Sequence, residues 1–272
     1  MSDASPIHHL LSEESEDQVS IPLLSAEDEA AMEKESTPED LPILPLRNTV
    51  LFPGVVLPIN VGRDQSLKLL KEAQKGGHDI GVMTQQDSEI ENPTAADLHE
   101  IGTVARIVKM LRMPDGSNTV IIQGKRRCRM GEVVTETHYL RAKISAFPDT
   151  EDEWEQSEQE ALQQSLQEMS MEVIQNSPNI PSEAAIAIKN IDSLRFLVHF
   201  IAANMNAEKE QKQNLLEVSN LKTRVENVMA LLGEDLKVLE LKQDIQSRVK
   251  TDIDKQQREF FLHQQLKQIQ EL

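Results

Sequence analysis

The chain has 272 residues and a formal net charge of −18, enough length for two domains at ~150 residues each. No apolar run approaches the ~18 residues that cross a bilayer, Met1-Ser2-Asp3 opens no signal-peptide pattern, and a single cysteine, Cys128, excludes a disulfide framework or a multi-cysteine metal site. The expectation is a soluble, cytoplasmic protein. Its acidity and its few aromatics (six Phe, Trp154, Tyr139) argue against generic binding to nucleic acid or anionic membrane.

The charge is unevenly spread. Residues 1–40 hold 12 acids and one base, Lys34; residues 41–148 hold 11 acids and 14 bases; residues 149–272 hold 23 acids and 13 bases. These changes of sign suggest an acidic tail over 1–40, a β-rich domain over 41–148, a helical bundle over 149–233 and a long helix over 234–272. The tail lacks a sustained apolar period and cannot offset its ordering entropy, so it is expected to be disordered.

From Leu41 the composition turns β-type. Leu41 to Leu46 carries Pro42 and Pro45 and reads as an edge strand. Pro53-Gly54 signals a turn, and Val55 to Val61 is extended again. Asp64 offers an N-cap for a helix with Leu67, Leu70 and Ala73 on its apolar stripe, stopped by Gly76-Gly77. Ile80 to Met83 is a short buried strand. Thr103 to Met113 and Thr119 to Met130 flank Pro114-Asp115-Gly116-Ser117 as a hairpin. Tyr139 to Phe147 completes about six strands and one helix, a small curved sheet or partial barrel.

Beyond Asp149 the periodicity is helical. Leu162, Leu166, Met169 and Val173 mark one stripe. Ala185, Ile188, Ile191, Leu194 and Val198 mark a second, and Val218, Leu221, Val225, Val228 and Leu232, ended by Gly233, a third. Three amphipathic helices make a bundle. The last 39 residues contain no Gly or Pro and would reach roughly 58 Å as a helix. Their seam (Val238, Leu241, Ile245, Val249, Ile253) thins and returns at Phe260, Phe261 and Leu262. Three adjacent apolar residues face more than one neighbour, which predicts contact with another subunit.

The chain carries no phosphate-binding Gly-Lys-Ser/Thr loop, no Gly-x-Ser-x-Gly and no His-Glu-x-x-His. Ser219 and Lys222 stand in a Ser-x-x-Lys spacing on a helical stripe, where a structural reading is preferred. The histidines lack ligand spacing, and Cys128 reads as a small core residue. No residue pattern points to catalysis, to a metal or to a cofactor.

Two features point to binding. Lys125, Arg127 and Arg129 alternate along a strand and so share one face, either an anion or acidic-segment site or a face neutralised by the acidic tail. Met83, Met110, Met113 and Met130 lie in or beside strands, and thioethers repack around varied partners, which suits recognition of unfolded chains; Met83, Met110 and Met113 are the candidate contacts.

The run Leu44 to Gly54 resembles the opening motif of the N-terminal domain of Lon, the ATP-dependent protease family. Ile101 to Ala105 and Gly124 to Arg127 are similar to that family's next strands, and Arg258 to Lys267 to the long helix before its ATPase module. The resemblance implies an α+β fold, a PUA-like pseudobarrel followed by a helical bundle ending in a long helix. It implies a non-catalytic region that selects unfolded or degron-bearing substrates for a cytoplasmic homohexamer, whose ATP, Mg²⁺ and Ser-Lys dyad belong to modules beyond these residues. Arg47 and Asn48 in the first motif read as architectural. Two alternatives remain open: a nucleic-acid-binding PUA-like module using Lys125, Arg127 and Arg129, and a stand-alone chaperone or ligand-binding module.

Overall fold

A computed structural model describes Met32, Glu35 and residues 38–270, apart from 115, 136–137, 151–154, 178–179 and 181–182; for 183 and 260–270 it describes the backbone alone. The disorder expected of residues 1–40 falls almost wholly outside this range.

Six strands form one sheet among the described residues: β1 (Asp40–Leu46), β2 (Val56–Val61), β3 (Ile80–Thr84), β4 (Ile101–Arg112), β5 (Asn118–Thr135) and β6 (Arg141–Ala146), with helix α1 (Asp64–Gly76) between β2 and β3. The order is β2-β5-β4-β3-β1-β6, and β6 returns to pair with β5. Five strands therefore close into a ring, with β2 added outside it. The 18 residues of β5 make closure possible, because Asn118 to Gln123 pairs with β2 while Cys128 to Thr135 pairs with β6. Register shifts in β4–β5 and β5–β6 bend the strands around the ring, as bulges do.

The edge placement expected for the first strand needs correction. β1 lies between β3 and β6, running antiparallel to β6 over Asp40 to Pro42 and parallel to β3 over Ile43 to Leu46. Each half pairs on one side, so a proline nitrogen without a hydrogen can face the other. Pro58, by contrast, sits in β2, a true edge that pairs with β5 alone. Alternation along β1 sends Leu41 and Ile43 into the ring beside Met83, Val104, Cys128 and Ile144. Leu44 and Leu46 go outward, under Leu69, Leu70 and Ala73 of α1. Arg63 rather than Asp64 occupies the cap position of α1, and the helix ends on Gly77 at φ 63°.

The Pro53-Gly54 turn, with Gly54 at φ 77°, is laid against β5. Gly54 N donates to Gly124 O at 2.9 Å, and Gly124 N donates to Val55 O at 3.0 Å. A Cβ on Gly124 would stand 2.3 Å from Phe52 O, so only glycine permits this approach.

The helical part holds α2 (Gln156–Asn176), α3 (Glu183–Lys189), α4 (Leu194–Asn204), α5 (Lys209–Glu217) and α6 (Leu221–Gln270). Two expectations differ here. The stripe from Ala185 to Val198 is broken into α3 and α4, because Ser193 caps α4 by accepting from Phe196 N at 3.2 Å. Gly233 ends nothing: α6 runs through it for 50 residues, about 75 Å at ~1.5 Å per residue. Asn220 starts that helix, accepting from Thr223 N at 2.8 Å. The helices bury a core around Leu166, Leu197, Val225 and Val228, which also takes in Val50, Phe52 and Ile101 from the barrel.

Candidate functional site

The barrel meets the helices at a buried ionic junction absent from the sequence-based expectations. Asp149, just after β6, accepts from Arg127 of β5 and from Arg224 of α6 at 2.6 Å, and forms an ion pair with Arg195 of α4 at 2.8 Å. Arg127 also donates to Leu216 O and Val218 O at 2.9 and 2.7 Å, and Arg224 to Leu215 O at 3.2 Å. These carbonyls end α5, where intrahelical partners run out and the helix dipole is negative, so buried guanidinium groups are well placed there. Arg224 is fully buried and also donates to His199 Nε2 at 3.2 Å. Arginine can only donate, so His199 accepts as the neutral ring. Burial first, then the charges of Arg224, Arg127 and Arg195, hold its pKa well below 6.5. The pKa of Arg127 is lowered to about 10 by burial and by Arg224, against the pull of Asp149.

Helix α5 completes the junction on the barrel side. Lys209 donates to Gln85 O and Gln86 O at 3.1 and 3.0 Å, and Gln213 to Ile101 O at 2.9 Å. Glu217 meets His99 at 3.1 Å. Beside it opens a cleft of about 360 Å³ lined in part by His99, Glu100, Arg129, Phe147 and Glu217.

The three basic residues expected on one face are separated by the structure. Val104 pairs with Arg126 and Ala105 with Gly124, so Lys125 is the extra residue of a β-bulge. Alternation fails there, and Lys125 and Arg126 both reach the carboxylate of Glu35. Lys125 also pairs with Asp79 at 2.9 Å. Arg127 is buried in the junction. Arg129 is half exposed, 3.8 Å from Glu100, and shares the Phe147 ring with Arg127, their guanidinium carbons 5.3 and 4.8 Å from its centroid.

The methionines are likewise divided. Met83 is fully buried inside the ring. Met110 and Met113 are half-buried at the tip of the β4–β5 hairpin, next to Val108, which is 53% exposed. The hairpin turn closes on Gly116 at φ 85°, with Met113 N donating to Ser117 O at 2.9 Å. Cys128 is buried and its thiol pKa is pushed up to about 12 by that burial, which leaves it unreactive.

Ser219 precedes α6 and its backbone carbonyl accepts from Thr150 N at 3.0 Å, while Lys222 pairs with Glu158. Arg47 and Asn48 are exposed; the buried part of their motif is Leu44, Leu46, Val50, Leu51 and Phe52. The side chains of Phe260, Phe261 and Leu262 lie outside the described residues, although their backbone is helical. Among the described residues no group of three or more His, Cys, Asp or Glu could hold a metal, and no helix is long and apolar enough to cross a membrane.

A small closed barrel, locked through buried arginines to a bundle whose last helix leaves the body, defines an interaction module. The chain belongs to the family described as the ATP-dependent protease La (LON) substrate-binding domain, which matches residues 40–234. It is 52% identical over 251 residues to the Lon protease of Flavobacterium johnsoniae, covering 92% of this chain and 31% of that one. With the Lon protease of Porphyromonas gingivalis it shares 39% identity over 271 residues, covering 96% and 32%. The chain thus spans about a third of the length of these curated relatives. The fold is similar to the N-terminal domain of a Mycobacterium avium complex Lon protease, with a TM-score of 0.60 at 18% identity over 72% of this chain and 98% of the other. A Lon N-terminal domain protein from Xanthomonas campestris gives 0.51 at 22% identity over 71% and 98%. These matches bear out the resemblance seen in Leu44 to Gly54 and the α+β architecture expected from it.

Proposed function

We propose that this chain is the substrate-selecting and subunit-organising N-terminal region of an ATP-dependent, Lon-type serine endopeptidase that removes misfolded and short-lived proteins in the cytoplasm. In this reading the barrel is PUA-like, the parent protein is a homohexamer, and ATP, Mg²⁺ and the Ser-Lys dyad belong to the rest of the protein. The observation that carries it is the family match over residues 40–234.

The geometry supports a division of labour. Met113 and Val108 would offer an adaptable apolar surface near the hairpin tip, with Met110 packed in part against the core under α1 and Met83 of β3 inside the ring. The junction around Asp149 would pass the position of a held segment to α6. Phe260, Phe261 and Leu262 would meet a neighbouring subunit, and Arg129 is the member of the basic trio most open to an acidic segment. The test is hydrogen exchange of the chain with and without a permanently unfolded protein. Protection centred on the hairpin tip is expected. No protection anywhere within residues 41–232 would overturn substrate selection and leave a spacer and assembly role.

A further inference from the structure

Glu35 of the acidic tail sits on the barrel. Met32 carries helical backbone and is only 7% exposed. Glu35, three positions on, reaches the bulge of β5. Its carboxylate meets Lys125 Nζ and Arg126 Nη2, the latter at 3.2 Å, and its backbone carbonyl accepts from Arg126 Nη1. Without the bulge, successive residues would point to opposite faces and could not converge on one acid. Arg126 thus holds a carboxylate and a main-chain carbonyl of the same residue, a pattern that identifies a peptide rather than a lone anion.

The two cations differ in what they keep without Glu35. Lys125 retains Asp79 at 2.9 Å. The Arg126 side chain is 14% exposed and its Nε is buried without a partner, and among the described residues Glu35 is the acid it pairs with. A guanidinium held largely out of water favours a carboxylate in that place. Hydrogen bonding from Lys125, followed by the charges of Lys125, Arg126 and Arg106, lowers the pKa of Glu35 against the effect of partial burial. The surroundings are complementary on the larger scale too, since 14 bases lie in residues 41–148 and 12 acids in residues 1–40.

We infer that the Lys125–Arg126 bulge is a binding site for peptide segments that present a glutamate carboxylate together with the same residue's main-chain carbonyl, and that Glu35 occupies it in cis until such a segment in another protein displaces it. This rests on the reading of the chain as a substrate-selecting region and names one substrate class for it. A tether of this kind gives the internal segment an effective concentration of roughly millimolar order. A peptide of ~100 µM intrinsic affinity would then bind the intact chain about tenfold more weakly than a chain whose own segment is disabled.

The probe is a fluorescent peptide copying residues 28–40, titrated by anisotropy into the whole chain and into a Glu35→Gln variant. About tenfold tighter binding to the variant is expected, lost when the peptide carries Lys in place of its glutamate at position 35 and weakened by raised salt. Equal binding to both chains, no binding to the variant, or indifference to the reversed charge in the peptide would each overturn the proposal. Because that last change is in the probe, protein folding cannot cause it. Binding of a permanently unfolded protein that lacks glutamate is followed in parallel: its persistence alongside a failed peptide titration rejects this site alone, and its loss rejects substrate selection altogether.

Discussion

The two halves of α6 are one continuous helix in two environments. Up to Leu239 it is packed: Val225, Val228 and Leu232 are buried, and Leu236 and Leu239 lean on the same core. Beyond that point Leu241, Ile245, Val249 and Ile253, continuing from Val238, stand 49–60% exposed. Their spacing keeps them on one face, so the distal half is amphipathic without a partner among the described residues. Helical stability in water comes mainly from packing such a face, hence equal secondary structure here does not mean equal stability. The proximal half is part of the body; the distal half leaves its apolar face exposed.

The strongest way to break this contrast is to loosen the proximal anchor. Asp149→Ala leaves Arg127 and Arg224 buried without their carboxylate, which is expected to cost about 3–5 kcal/mol. Urea unfolding would show it as a large fall in midpoint, with the barrel and bundle no longer unfolding together. A loss below about 1 kcal/mol would mean that the carbonyls at the end of α5 carry the junction unaided.

Acid should weaken the same anchor more gently. His199 is neutral in the folded protein with its pKa depressed below 6.5, so the unfolded chain takes up the proton first. The stability it contributes is therefore present above pH 6.5 and is lost as pH falls below it. Between pH 6.5 and 5.5 the intact chain should lose about 1 kcal/mol more than a His199→Gln variant, whose side chain can still accept from Arg224. Parallel pH curves for the two proteins would refute the assignment of His199 as a buried neutral acceptor.

Much of the barrel was legible in the sequence, because its signals are local. Pro53-Gly54 and Pro114 to Ser117 mark the turns, and alternation places Ile43, Leu44 and Leu46. The Lys125–Arg127–Arg129 face was misread because a bulge is set by the partner strand and has no local mark in β5. The Asp149 junction was invisible for a related reason: it joins residues 127, 149, 195 and 224, whose meeting depends on the packing of three elements. Ser193 and Asn220 were caps hidden inside longer apolar periods. Gly233 looked like a stop because glycine disfavours a helix interior by about 1 kcal/mol, a penalty that packing of Val228 and Leu232 outweighs.

That penalty gives a prediction of opposite sign. A Cβ at Gly233 would meet only Met169 Cε, at 3.8 Å, an ordinary contact. Gly233→Ala should therefore stabilise the chain by roughly 0.5–1 kcal/mol, raising the thermal midpoint and slowing amide exchange across 225–240. A fall in midpoint would show that the glycine is needed for the approach of α2.

The smallest effect belongs to the distal seam, and it sharpens the comparison most. Leu241→Lys and Ile245→Lys replace residues that are 60% and 52% exposed, so each should change unfolding free energy by less than about 0.5 kcal/mol. Amides beyond about residue 254 should exchange rapidly in the isolated chain while those of 221–239 remain protected. The same two substitutions should weaken assembly in the full-length protein, where a covered seam would lose apolar contact and bury a charge. If instead they destabilise the isolated chain, or if the distal amides are protected in dilute solution, the seam is already covered and the two halves of α6 are not the contrast drawn from their exposure.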